Sequence, residues 1–144
     1  MNDDVEESAI TLEERKAECK PIVLIVDDNP EYAKLFELLA DRLGISVHVV
    51  NSCAEAVHAL QLYQFDIIMM DWLMPEVDGK GCTRKIRMLE SSAGRHTAII
   101  GVSGHDDASH AACIEAGMDD YLPIPFSLED LHDKLCLWLR RKVN

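Results

Sequence analysis

The chain has 144 residues, enough for one compact domain and too few for two ordinary ones. Hydrophobic residues make up 48% of it, which excludes disorder of the whole chain. A net charge of -12 repels phosphates and anionic lipid, so direct binding to nucleic acid or to a membrane surface is set aside. No apolar run reaches the roughly 18 residues of a spanning helix. The N-terminal stretch is acidic and lacks the apolar core of a secretory signal. A cytoplasmic domain is the expectation.

Residues 1–20 form a unit of their own, an acidic extension. Asp3, Asp4, Glu6, Glu7, Glu13, Glu14 and Glu18 face only Arg15, Lys16 and Lys20. From Pro21 to Asn144 the pattern is regular. A first strand is expected over Ile22–Val26. A helix follows, with Asn29 as its cap, Pro30 in its first turn, an apolar stripe of Tyr32, Leu35, Phe36, Leu39 and Leu43, and an exit at Gly44. Strand two is expected over Ile45–Val50, with Ser52 opening the next helix. Strand three is expected over Phe65–Met70, followed by a helix from about Gly79 to Leu89. Strand four is expected over Ala98–Val102, followed by a helix from near Asp106 to before Gly117. A weaker strand lies around Tyr121–Ile124. Ser127 caps the last helix, striped by Leu128, Leu131, Leu135 and Trp138.

The first four apolar runs are continuous rather than alternating, as in strands buried on both faces. Five β-α units in succession imply a flavodoxin-like, doubly wound α/β fold with parallel strand order 2-1-3-4-5. Such a sheet places its site at the carboxyl ends of its inner strands.

Strand one ends in Asp27 and Asp28, strand three in Asp71, and strand four in Ser103. If strands one and three are neighbours, three carboxylates converge. They cannot all ionise cheaply, because each raises the pKa of the others. A hard divalent ion resolves this, and all-oxygen ligation with few protein ligands suits Mg2+. The ion would also screen a phosphoryl group from the carboxylate that attacks it.

Five cysteines (Cys19, Cys53, Cys82, Cys113 and Cys136) and six scattered histidines complete the inventory. The odd count and the absence of Cys-x-x-Cys point to reduced thiols. No histidine or cysteine cluster suggests a transition-metal site.

Four segments carry a resemblance: Val-Asp-Asp-Asn-Pro-Glu (26–31), Met-Asp-Trp-Leu-Met-Pro-Glu-Val-Asp-Gly (70–79), Val-Ser-Gly (102–104) and Glu-Ala-Gly-Met-Asp-Asp-Tyr-Leu-Pro-Ile-Pro-Phe (115–126). In order and spacing they resemble the receiver domains of two-component response regulators. The stretch around Gly117–Tyr121 is most similar to receivers attached to hybrid histidine kinases. The resemblance implies that Asp71 accepts a phosphoryl group from a phosphohistidine. It implies direct Mg2+ ligation by Asp28, mostly water-mediated ligation by Asp27, and a further ligand in the backbone carbonyl of Leu73. Ser103 would bond a phosphoryl oxygen and Tyr121 would be the aromatic switch. Pro75 and Gly79 would shape the loop after the site. Partners would be a histidine kinase or a histidine phosphotransfer protein, and no separate substrate would be turned over.

One position departs from the pattern. The family lysine before the second proline is Ile124, in Pro123-Ile124-Pro125. A charged hydrogen bond worth roughly 1.5–3 kcal/mol is thereby lost. Two readings follow: a receiver that takes phosphate but signals differently, or a degenerate receiver used as a docking module independent of phosphorylation. A cis Ile124–Pro125 bond is expected from the resemblance. Leu73 and His105 occupy the two positions that set phosphate lifetime in the family. No DNA-binding module follows, so output is expected through protein contacts on the face of helix four, strand five and helix five, unless the chain is a piece of something larger. A haloacid-dehalogenase-type enzyme would need an Asp where Leu73 stands. A flavodoxin-like cofactor binder would need a phosphate loop where Asp27-Asp28-Asn29-Pro30 stands.

Overall fold

The five apolar residues Ile22–Val26 form strand β1, which is buried along its whole length because the sheet is covered on both sides. In a computed structural model, which describes residues 21–104 and 108–143, β1 is followed by α1 (Pro30–Arg42), β2 (Ser46–Val50), α2 (Cys53–Leu62), β3 (Ile67–Asp71) and α3 (Gly79–Ala93). Then come β4 (Ala98–Ser103), α4 (His110–Ala116), β5 (Asp120–Pro123) and α5 (Leu128–Val143). All pairings are parallel and the strand order is β2-β1-β3-β4-β5, as expected. The acidic extension, His105 and the expected helix start at Asp106 lie outside the described residues.

Local chemistry explains the helix starts. The Asn29 side chain accepts from the Glu31 amide at 2.9 Å, with Pro30 in the first turn. Ser52 Oγ accepts from the Glu55 amide at 3.2 Å. Ser127 and Asp130 cap reciprocally, at 3.0 and 3.1 Å. The fourth helix begins later than the apolar pattern suggests. Ser109 is its cap, accepting from the Ala112 amide at 3.0 Å.

Two apolar layers sandwich the sheet. One joins Ile22, Leu24, Ile68, Met70 and Trp72 to α2, α3 and α4 through Ala56, Ile86 and Cys113. The other joins Val23, Ile25, Met69, Ile100 and Leu122 to α1 and α5 through Phe36, Leu131 and Leu135. Leu139 packs against this second layer, whereas Leu137 stays exposed.

The cysteines correct one expectation. Cys53 and Cys82, 29 residues apart, are joined in a disulfide with Cα atoms 5.5 Å apart. Cys113 and Cys136 are free thiols. Spacing along the chain concealed the pair because it forms only when the first turns of α2 and α3 pack on one face of the sheet. Among the described residues, no helix is long and apolar enough to cross a membrane.

Candidate functional site

Register aligns the ends of the inner strands. Val26 pairs with Met70 and Asp71 with Val102, so Asp27 and Asp28 emerge beside Asp71. One carboxylate oxygen each from Asp27, Asp28 and Asp71 lies within 4.8 Å of the others. Asp27 is buried, Asp71 half-buried and Asp28 exposed. The corner is held by backbone bonds: the Asp27 amide donates to Val50 O at 3.1 Å and the Trp72 amide to Val102 O at 3.1 Å. Asp27 Oδ1 accepts from the Asn29 amide at 2.8 Å, and Asp71 Oδ1 from the Leu73 amide at 3.4 Å.

The electrostatics are those of crowded acids. Burial, then the charge of Asp27, pushes the Asp71 carboxyl from 3.8 up to about 8, while the Leu73 amide pulls the other way and Asp28 adds to the rise. Burial also raises Asp27, countered by the Asn29 amide and reinforced by Asp28. Among the described residues, no lysine, arginine or histidine forms an ion pair with this trio. An all-oxygen donor set of this kind, short of positive charge, fits a hard divalent cation.

The loop after Asp71 is tightly built. The Gly79 amide donates to Trp72 O at 3.0 Å, and a Cβ at Gly79 would lie 2.1 Å from Asp71 O. Only glycine lets α3 start this close to β3. Lys80 does not reach toward the acids; its ammonium lies 5.2 Å from the centre of the Trp72 ring. Trp72, missed as a site neighbour in the sequence, is buried, and its Nε1 has no acceptor among the described residues.

Ser103 ends β4 and is buried. Its carbonyl accepts from the Tyr121 hydroxyl at 2.9 Å and from the Ile124 amide at 3.0 Å. Tyr121 is therefore coupled to the Ser103 backbone. Ile124, half-buried, packs against the layer of Val23, Ile25 and Leu122, and the Ile124–Pro125 bond is cis, as expected. The place of a cation is taken by an apolar side chain that belongs to the core.

A second feature was not legible in the sequence. Asp120, beside Tyr121, is buried and accepts from Lys134 Nζ, Trp138 Nε1 and the Tyr121 amide, each at 2.8 Å. Burial pushes its carboxyl up, but these bonds outweigh it and hold the pKa below its ordinary value. The network ties β5 to α5.

Comparison with known proteins agrees with this geometry. The family model of the response regulator receiver domain matches residues 23–136. The sensor histidine kinase GacS of Pseudomonas protegens is 37% identical over 128 residues, covering 88% of this chain and 14% of the kinase. Histidine kinase CKI1 of Arabidopsis thaliana is 40% identical over 118 residues, covering 69% of this chain and 10% of that protein. The chain thus spans about a seventh or less of the length of these two kinases. A solved structure, the receiver domain of sensor histidine kinase PA1611 from Pseudomonas aeruginosa PAO1 with magnesium in its active-site cleft, is 33% identical with a TM-score of 0.75. The match covers 83% of this chain and 98% of that one. By sequence, fold and the order of its site residues, the chain belongs to the response regulator receiver family and is a receiver domain of a two-component phosphorelay.

Proposed function

We propose that Asp71 is the phosphoacceptor, taking a phosphoryl group from a phosphohistidine on a histidine kinase or histidine phosphotransfer protein. The observation that carries this reading is the trio of Asp27, Asp28 and Asp71, with Asp71 at the end of the central strand. Asp27, Asp28, Asp71 and the Leu73 carbonyl would hold Mg2+. When bound, the ion supplies positive charge that favours ionised Asp71 and screens the incoming phosphoryl oxygens. An Asp71 carboxylate oxygen forms the new O–P bond as the donor's N–P bond breaks. The leaving imidazole nitrogen takes up a proton. Ser103 donates to a phosphoryl oxygen, and the Tyr121 hydroxyl, bonded to Ser103 O, follows its strand.

The receiver unit is 21–144, preceded by the acidic extension 1–20, and it works in the cytoplasm. It turns over no separate substrate; its product is its own aspartyl phosphate. Output passes through protein contacts on α4, β5 and α5, where Ile114, Leu128 and Leu137 are exposed.

Incubation with a small phosphodonor and Mg2+ is expected to give an acid-stable, base-labile adduct that Asp71→Asn abolishes. An adduct that persists in Asp71→Asn would overturn the assignment. No adduct on the unaltered chain, with no Mg2+ binding, would favour a phosphorylation-independent docking module.

Ile124→Lys would restore a cation beside the acceptor. The new charged bond, worth roughly 1.5–3 kcal/mol, should increase the phosphorylation-dependent change seen in α4 and β5 amide NMR shifts. Identical shift changes in both proteins would show that Ile124 does not limit switching.

A further inference from the structure

Five cysteines serve no role in phosphoryl transfer, yet two of them meet beside its site. We infer that Cys53 and Cys82 form a reversible thiol–disulfide modification site that sets the Mg2+ affinity and phosphorylation rate of the acidic pocket. The inference rests on the reading of Asp71 as the acceptor and concerns the regulation of that site.

The geometry points to the two corners that frame the pocket. Cys53 is the first residue of α2, directly after the Ser52 cap. The strand before it ends at Val50, whose carbonyl receives the Asp27 amide at 3.1 Å. Cys82 lies in the first turn of α3, its amide donating to Asp78 O at 2.9 Å. That turn begins at Gly79, which is pressed against Asp71 O and bonded to Trp72 O. The disulfide therefore clamps the corner that holds Asp27 to the corner that holds Asp71 and Leu73. With the clamp closed, the oxygen donors are held at fixed spacing before the cation arrives. With it open, binding must also order the two corners, which lowers affinity.

Thiol chemistry and the proposed cytoplasmic setting favour reversibility. In a reducing cytoplasm, disulfides in proteins of ordinary organisms are usually transient, catalytic or redox-sensing. Cys53 is 5% exposed and Cys82 0%, so Cys53 is the sulfur that meets an outside reagent first. The Cys53 thiolate attacks a low-molecular-weight disulfide such as oxidised glutathione. An S–S bond forms at Cys53 and one glutathione thiolate leaves. The Cys82 thiolate then attacks Cys53 Sγ, closes the internal bond and expels the second glutathione thiolate. The protein gives up two electrons and two protons, and the two glutathione molecules end as thiols. Burial makes both steps depend on local opening of the two helix starts.

The test uses the full chain equilibrated in defined mixtures of reduced and oxidised glutathione. Thiols are counted by alkylation under denaturing conditions and located by peptide mass. Mg2+ affinity is measured by calorimetry and adduct formation with a small phosphodonor in the same samples. The expected result is loss of two of the five alkylatable cysteines, at 53 and 82, on oxidation. Mg2+ should bind at least about threefold tighter in the oxidised form, as a preorganised site requires. Cys53→Ala should show neither change; if it folds poorly, the unaltered protein with and without reductant carries the same comparison. A pair that stays reduced across the glutathione range overturns the inference. So does a pair that oxidises while Mg2+ affinity stays the same. An adduct absent in both states overturns instead the reading of Asp71, and the Mg2+ comparison still decides the clamp.

Discussion

With divalent cations chelated, the stability of this protein is expected to fall as pH rises from about 4 to about 8, and Asp71→Asn should flatten that slope. The folded Asp71 carboxyl titrates near 8, against an ordinary value of 3.8, through burial and the charge of Asp27. Between these values the folded state keeps a proton that the unfolded chain has released. The unfolded state then binds fewer protons, and stability declines with pH. Asp27 is raised as well and acts in the same direction. Asp71 is only half-buried, so solvent screening reduces its contribution to about 1–2 kcal/mol. On the proposed reading, added Mg2+ would bind the folded trio, and it should then restore stability above neutral pH while lowering the Asp71 pKa. Urea midpoints across pH, with chelator and with Mg2+, check the slope; carboxyl-carbon NMR checks the titration itself. An equal slope in Asp71→Asn would show that another group sets the pH dependence.

Arg87→Ala should cost about 3–5 kcal/mol, as expected when one partner is removed from a largely buried ion-pair network. Arg87 Nε donates to Gly117 O at 2.8 Å, Nη1 to Glu90 Oε1 at 2.6 Å and to Thr97 O at 2.8 Å, and Nη2 to Asp119 Oδ2 at 2.7 Å. One guanidinium joins α3, the entry to β4 and the turn before β5. Glu90 is 7% exposed and also receives the Thr97 amide at 2.6 Å. Removing the arginine leaves Glu90 with the Thr97 amide, and Asp119 with the Ile99 amide at 2.9 Å and His96 Nε2 at 2.8 Å, so Glu90 loses its ion-pair partner where there is little solvent to replace it. Arg87→Lys should recover only part of the loss, because an ammonium cannot reproduce the planar fork. Urea unfolding of both variants, with Glu90→Gln as a partner in a double-mutant cycle, measures the coupling. A cost below about 1 kcal/mol would place the network among ordinary surface pairs.

Much of the molecule was determined by short-range chemistry that a sequence displays. Continuous apolar runs specified buried parallel strands, and Asn29, Ser52 and Ser127 marked helix starts that their side chains do cap. The order of Asp27, Asp28, Asp71 and Ser103 at strand ends required only the strand order to bring the acids together. The mutual repulsion of the acids was legible for the same reason.

Tertiary structure alone decided the rest, because each remaining feature depends on residues distant in the chain. The third helix runs past Leu89 to Ala93 because Glu90 turns inward to Arg87 and Thr97, and a left-handed Gly94, φ 66°, ends it. Ile124 could be read as a missing cation, but its place in the α1–α5 layer came from packing. The position of Lys80, with its ammonium over the Trp72 ring, likewise came from packing. Cys53 and Cys82 looked like unrelated thiols until two helices met on one face of the sheet. The sequence by itself determined which groups stand at the ends of the strands. The packed fold determined which of them touch, since contact across 29 residues is set by helix placement and not by spacing along the chain.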